Sequence, residues 1–152
     1  MPLPIGSVAP DFDLMTEDPD VKVRLADFRG KKRVVLLFYP MDFSSVCTGE
    51  LCAMGPALDV DAGGDAVVFG VSCDSPFVHA AFKKQYGLPF MLLSDVTRET
   101  VKAYDLFFGE RPFNCGRRAT VIVGRDGTIE HFHEQPVLEE RTADELKRAI
   151  GR

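Results

Sequence analysis

Two short apolar runs constrain the fold of this chain more than any other feature: Arg33-Val34-Val35-Leu36-Leu37-Phe38-Tyr39 and Ala66-Val67-Val68-Phe69-Gly70-Val71-Ser72. Both are rich in β-branched and large apolar residues, the composition of strands buried on both faces, so both belong in the middle of one sheet. Each is followed by a helical segment. Thr48 to Leu58 has helical composition up to Gly55-Pro56, which should kink or end it, and Pro76 to Tyr86 starts on a proline and stops before Gly87. Strand and helix in alternation predict an α/β architecture.

The rest of the chain extends that pattern. After the apolar stretch Phe90 to Leu93, Thr97 to Tyr104 reads as a helix with Glu99 near its start, and a long loop leads to Ala119–Val123. The turn Gly124-Arg125-Asp126-Gly127 and the run Thr128–Phe132 complete a β-hairpin, because Asp-Gly tolerates the positive φ values of tight turns. Thr142 to Ile150 carries a capping-box pattern, Thr142 with Glu145, and places Leu146, Ala149 and Ile150 on one face. The expectation is a mixed central sheet with helices on both faces. The 152 residues show no repeat, low-complexity tract or linker, so a single domain over 1–152 is expected; with 45% hydrophobic residues it can bury one core.

The formal charge of −5 is spread along the chain, which gives no footprint for nucleic acid. No run approaches the ~20 apolar residues of a membrane helix, and the N-terminus lacks a basic start followed by an apolar stretch. A soluble, cytoplasmic protein is expected. Cysteines at 47, 52, 73 and 115 are too few for a secreted disulfide scaffold, and their spacing does not repeat as a zinc framework would. No metal or cofactor is expected. His79, His131 and His133 have no evident ligand company in the sequence, and the latter two share one strand face, read as solvated.

The chemistry lies in Phe38-Tyr39-Pro40-Met41-Asp42-Phe43-Ser44-Ser45-Val46-Cys47-Thr48-Gly49-Glu50-Leu51-Cys52, which runs from a buried strand through a loop into a helix start. In open α/β sheets, sites lie just beyond the carboxyl ends of strands. A cysteine at a helix start is close to unpaired amides and the positive end of the helix dipole, which favour a thiolate. Pro40 shapes the loop, and Ser44 supplies a hydroxyl that can contact both sulfur and an oxygen substrate.

Pro40-x-x-x-Ser44-x-x-Cys47 resembles the active-site pattern of the peroxiredoxin family. Val8-Ala9-Pro10-Asp11-Phe12, Gly70 to Ser75, Leu92 to Asp95 and Arg118-Ala119-Thr120 follow in that family's order, so the resemblance covers nearly the whole chain. It implies a thioredoxin-like fold and reduction of hydrogen peroxide and organic hydroperoxides. It also implies that Cys47 is the peroxidatic cysteine, with Pro40 and Ser44 in its pocket, Arg118 as the adjacent cation and Glu50 orienting that arginine. The spacing of Cys52 from Cys47 is similar to that of bacterioferritin-comigratory or PrxQ-type members, in which the second cysteine resolves the first as a disulfide. AhpE-like members share the Pro-Met-Asp-Phe flavour of the loop.

In a regular helix, residues five apart have Cα atoms roughly 8–9 Å from each other, beyond the about 7 Å that a disulfide tolerates. The helix around Cys47 and Cys52 is therefore expected to unwind on oxidation, helped by Gly49 and Gly55-Pro56. Cys115 is an alternative redox residue in the loop before Arg118, and Cys73 is expected to pack. Phe107, Phe108 and Phe113 are read as core. The implied partners are a peroxide and thioredoxin, glutaredoxin or a low-molecular-weight thiol, acting on a monomer or homodimer. A peroxide sensor that relays oxidation to a partner, and a one-cysteine peroxidase served by an external thiol, are the alternatives.

Overall fold

The computed structural model describes residues 3–53, 65–110, 114–136, 139 and 141–151. Its elements are β1 (Asp13–Met15), β2 (Lys22–Arg24), a 3-10 turn (Leu25–Phe28), β3 (Arg33–Phe38), α1 (Ser45–Ala53), β4 (Ala66–Ser72), α2 (Pro76–Tyr86), β5 (Met91–Ser94), α3 (Glu99–Ala103), β6 (Phe107–Phe108), β7 (Cys115–Gly116), β8 (Arg118–Val123), β9 (Ile129–Gln135) and α4 (Ala143–Ile150). Seven strands form one sheet in the order β2-β1-β5-β4-β3-β8-β9. β3, β4 and β5 run parallel, whereas β8 is antiparallel to β3 and β9 to β8. The two apolar runs are adjacent central strands, as their composition required.

Because side chains alternate across a strand, β3 divides the core into two layers. Val34, Leu36 and Phe38 pack with Val101 of α3, Tyr104 and the N-terminal Phe12 and Leu14. Val35 and Leu37, followed by Tyr39, pack with Leu51 of α1, Phe82 of α2 and Leu146, Ala149 and Ile150 of α4. Helices therefore cover both faces. Close approach of β4 to β5 requires glycine at 70: a Cβ there would lie 2.7 Å from Leu92 Cδ2.

Several boundaries differ from the sequence reading for identifiable reasons. α1 begins at Ser45 instead of Thr48, because Ser44 caps it, and Gly55-Pro56 lies outside the described residues. α3 starts late: Asp95 Oδ1 and Oδ2 accept the amides of Thr100 and Val101 at 3.1 and 2.8 Å, with Arg98 left-handed at φ 66°. The hairpin turn uses positive φ at Gly127 (84°) and not at Asp126. Thr142 and Glu145 form the expected reciprocal capping box. The β1–β2 hairpin and the short β6–β7 ladder were not anticipated; both are too short for a periodic signal. Phe107 and Phe108 lie half-buried in β6, and Phe113 is outside the described residues.

Burial leaves several acidic hydrogens trapped. The Tyr39 and Tyr104 hydroxyls are held well above their ordinary range by burial, and burial pushes the Cys73 thiol from 9.0 up to about 12. Each group binds its proton more tightly folded than unfolded, so its contribution is complete below the unfolded value and is lost as pH rises through the folded one. The melting temperature is expected to fall between pH 9 and about 12. Cys73→Ala should flatten that decline; an unchanged slope in the variant would show that Cys73 takes no part.

Candidate active site

β3 ends at Phe38, the loop Tyr39–Ser44 follows, and α1 begins beneath the carboxyl edge of the sheet. Ser44 is the helix cap: its Oγ accepts the Cys47 amide at 3.3 Å and its carbonyl accepts the Thr48 amide at 2.9 Å. A serine at this position satisfies amides that the first turn leaves unpaired. Cys47 thus sits in the first turn with its side chain inward, 1% exposed. Glu50 and Leu51, three and four residues on, share that inward face and are fully buried. Cys52, about 140° round the helix from Cys47 by ordinary helix geometry, is exposed.

Arg118 reaches the sulfur because of strand register. It opens β8, whose next residue Ala119 is paired with Phe38 at the end of β3, which places Arg118 beside the start of the loop to α1. Its guanidinium donates to Cys47 Sγ at 3.1 Å and to Glu50 Oε1 at 2.5 Å. The second oxygen of Glu50 accepts the backbone amide of Arg141 at 2.7 Å and lies 3.0 Å from that residue's Nε. Arg141 also donates to Ala119 O (3.0 Å), Thr120 Oγ1 (3.1 Å) and Phe38 O. It therefore fastens the ends of β3 and β8 to the carboxylate that accepts from Arg118.

The cluster contains two guanidiniums and one carboxylate, all at most 2% exposed. A thiolate at Cys47 would be the second anion that balances the charges. Burial lowers the affinity of Arg141 for its proton, an effect that Glu50 and Cys47 oppose and Arg118 reinforces. Chemically, the arrangement presents a sulfur nucleophile at a helix start with a permanent cation in contact. Such a cation can accept developing negative charge on an oxygen without giving up a proton.

Of the residues singled out in the sequence, Ser44, Cys47, Glu50 and Arg118 are directly connected. Pro40 is buried at the start of the loop and lines a cleft of about 240 Å³ with Cys73, Asp74, Arg98 and Cys115. Cys52 shares α1 with Cys47 but faces away. Cys115 is buried in β7, and burial together with the nearby Cys47 sulfur pushes its thiol upward. Arg141 was missed by the sequence reading: it precedes the capping-box threonine and belongs to no spacing pattern. The expectation that His79 has no company is corrected. Its fully buried ring lies 2.6 Å from Asp42 Oδ2, close to Asp74. These ligand-type atoms already bond one another, Tyr39, Ser72 and backbone groups, which makes the group a hydrogen-bond network. His131 and His133 do share a face of β9, and they line a cleft with Arg141 and Arg148 of α4.

A mixed sheet covered on both faces, with a thiol under an arginine at its carboxyl edge, defines a thiol enzyme of the thioredoxin-like fold. Residues 5–132 match the AhpC/TSA family, and the chain belongs to it. It is similar to Peroxiredoxin Bcp of Bacillus subtilis, 32% identical over 97% of this chain and 95% of the relative. It is also similar to chloroplastic Peroxiredoxin Q of Gentiana triflora, 37% identical over 92% of this chain and 63% of the relative. Among solved structures, the reduced 2-Cys peroxiredoxin of Plasmodium vivax superposes with a TM-score of 0.88 at 33% identity, covering 99% of this chain and 81% of that one. Mycobacterium tuberculosis AhpC superposes with a TM-score of 0.84 at 27% identity, covering 99% and 93%. The resemblance to the Bcp and PrxQ-type subgroup is borne out, and with it the fold and a thiol-dependent peroxidase activity. No helix among the described residues is long and apolar enough to cross a membrane.

Proposed function

We propose that Cys47 is the peroxidatic cysteine of this enzyme, reducing hydrogen peroxide and organic hydroperoxides. The observation that carries this reading is the 3.1 Å contact from the Arg118 guanidinium to Cys47 Sγ inside a buried cluster of two guanidiniums and one carboxylate. The thiolate attacks one peroxide oxygen, the O–O bond breaks, Cys47 becomes a sulfenic acid, and the other oxygen leaves as hydroxide or alkoxide and takes a proton from water. Arg118 meets the charge that develops on the peroxide oxygens. The Ser44 oxygen already accepts the Cys47 amide, so its own hydrogen is available to the substrate. Pro40 walls the loop side, while Glu50 and Arg141 hold Arg118 at its post.

Resolution falls to Cys52: its sulfur attacks the Cys47 sulfenic acid, water leaves, and an intramolecular disulfide forms. A thiol reductant such as thioredoxin, glutaredoxin or a small cytoplasmic thiol then restores both cysteines by exchange. Exposure supports Cys52 over Cys115, whose buried thiol is held protonated. Both Cys47 and Cys52 lie within the same helical run, so the disulfide requires its opening turns to unwind. Gly49, in the middle of that helix, lowers the cost.

The test is peroxide consumption coupled to each class of reductant, together with peptide mapping of oxidised protein. Cys52→Ser is expected to lower thioredoxin-coupled turnover roughly a hundred-fold, about 2.7 kcal/mol in the barrier, while the first oxidation of Cys47 stays fast. A Cys47–Cys52 linkage should appear only in the parent. Normal turnover by Cys52→Ser with loss in Cys115→Ser would transfer the resolving role to Cys115. Normal turnover in both would make an external thiol the resolver.

A further inference from the structure

Behind the loop that carries Pro40 and Ser44 lies a largely buried chain of polar side chains. Asp42 is its hub. Oδ1 accepts the Tyr39 hydroxyl at 2.5 Å, Oδ2 lies 2.6 Å from His79 Nδ1, and its backbone amide donates to Asp74 Oδ2 at 2.8 Å. His79 Nε2 is 3.0 Å from the Leu93 carbonyl, which can only accept, so that nitrogen is the donor of this contact. Asp74 is held in turn by the Ser72 hydroxyl at 2.5 Å. The ends of β3 and β4, helix α2 and strand β5 thereby converge on one loop residue.

The next residue shows what is being held. Phe43 has φ 66°, the left-handed region that a bulky L-residue avoids, and its ring packs edge-on to Phe82 at 5.0 Å. Such strain persists only where the surroundings over-determine it. Ser44, the cap of α1, follows directly, and Cys47 is bonded to that cap.

We propose that Asp42 and His79 are positioning residues for the peroxidatic cysteine: their buried contact, with Tyr39 and Asp74, clamps the loop in its strained form and so sets the Ser44 cap and the reactivity of Cys47. This rests on the reading of Cys47 as the reacting sulfur. The clamp acts through geometry: it fixes where the Ser44 hydroxyl stands and how the first turn presents its sulfur. It also ties the active-site loop to α2, so unwinding of α1 on oxidation occurs against a fixed wall.

The test is the single-turnover rate at which hydrogen peroxide oxidises Cys47, measured well below the melting temperature for Asp42→Asn, His79→Gln and Tyr39→Phe, each with and without Phe43→Gly. Asp42→Asn and His79→Gln are expected to slow oxidation about ten-fold. Tyr39→Phe, which keeps the ring packed and is decisive if the other two do not fold, should slow it roughly three-fold. Glycine adopts positive φ without strain, so Phe43→Gly should restore part of the rate lost in each variant. A purely structural role would lower the melting temperature and leave the oxidation rate of the folded protein unchanged. That result, or equal losses with and without Phe43→Gly, overturns the proposal. Retained peroxidase activity in Cys47→Ser would instead overturn the assignment on which it rests.

Discussion

Cys47→Ser is expected to reduce peroxide turnover at least about ten-thousand-fold, roughly 5.4 kcal/mol of transition-state stabilisation, with little change in fold. The size follows from the chemistry of the reacting atom. A thiolate is a polarizable nucleophile that is restored after oxidation, whereas a serine hydroxyl near neutral pH is neither ionised nor reversibly oxidised. The hydroxyl oxygen is smaller than sulfur but can accept the hydrogen that Arg118 donates to Sγ at 3.1 Å, so the cluster keeps an acceptor there. The measurement is peroxide consumption with a thiol reductant in excess, beside circular dichroism of the variant. Cys73→Ser, altered at a thiol whose burial keeps it protonated, serves as the control that retains turnover. Turnover by Cys47→Ser within ten-fold of the parent would sink the assignment.

The fold was legible where burial on both faces left a composition signal. β3 and β4 emerged from their apolar runs, and α2 and α4 from Pro76, Gly87 and the Thr142–Glu145 box, because these signals are local. The β1–β2 hairpin was too short to show a period, and the late start of α3 turned on the Asp95 carboxylate accepting the Thr100 and Val101 amides, which composition does not reveal. In the site, the loop-to-helix segment was legible because its residues are close in sequence and resemble a family pattern. Arg141 was not. It lies 91 residues from the carboxylate it serves, and the register of β8 against β3 brings the two together. Asp42 and His79, 37 residues apart, meet for a similar reason, across the gap between α2 and the end of β3. Long-range polar pairing carries no periodicity, so a single sequence gives it no trace.

The same long-range pairing makes Glu50 the position where a change of one side chain should be felt most in stability. Its carboxylate lies between Arg118 and Arg141, and all three side chains are removed from water. In Glu50→Ala two buried guanidiniums would be left facing each other with no carboxylate between them. Loss of one partner from a buried pair costs about 3–5 kcal/mol, because the remaining charge is neither solvated nor compensated. For a domain of this size that lowers the melting temperature by roughly 6–20 °C. Glu50→Gln preserves shape and one acceptor oxygen but removes the charge, and its loss should be intermediate. Activity should fall with it: Arg118 keeps its contact with Cys47 but loses the 2.5 Å anchor that fixes its plane, which is expected to slow Cys47 oxidation about ten-fold. Thermal melts and single-turnover rates on both variants check the two effects separately. If Glu50→Gln melted and reacted like the parent, the carboxylate's charge would be irrelevant, and a packing role at the inner face of α1 would be all that Glu50 performs.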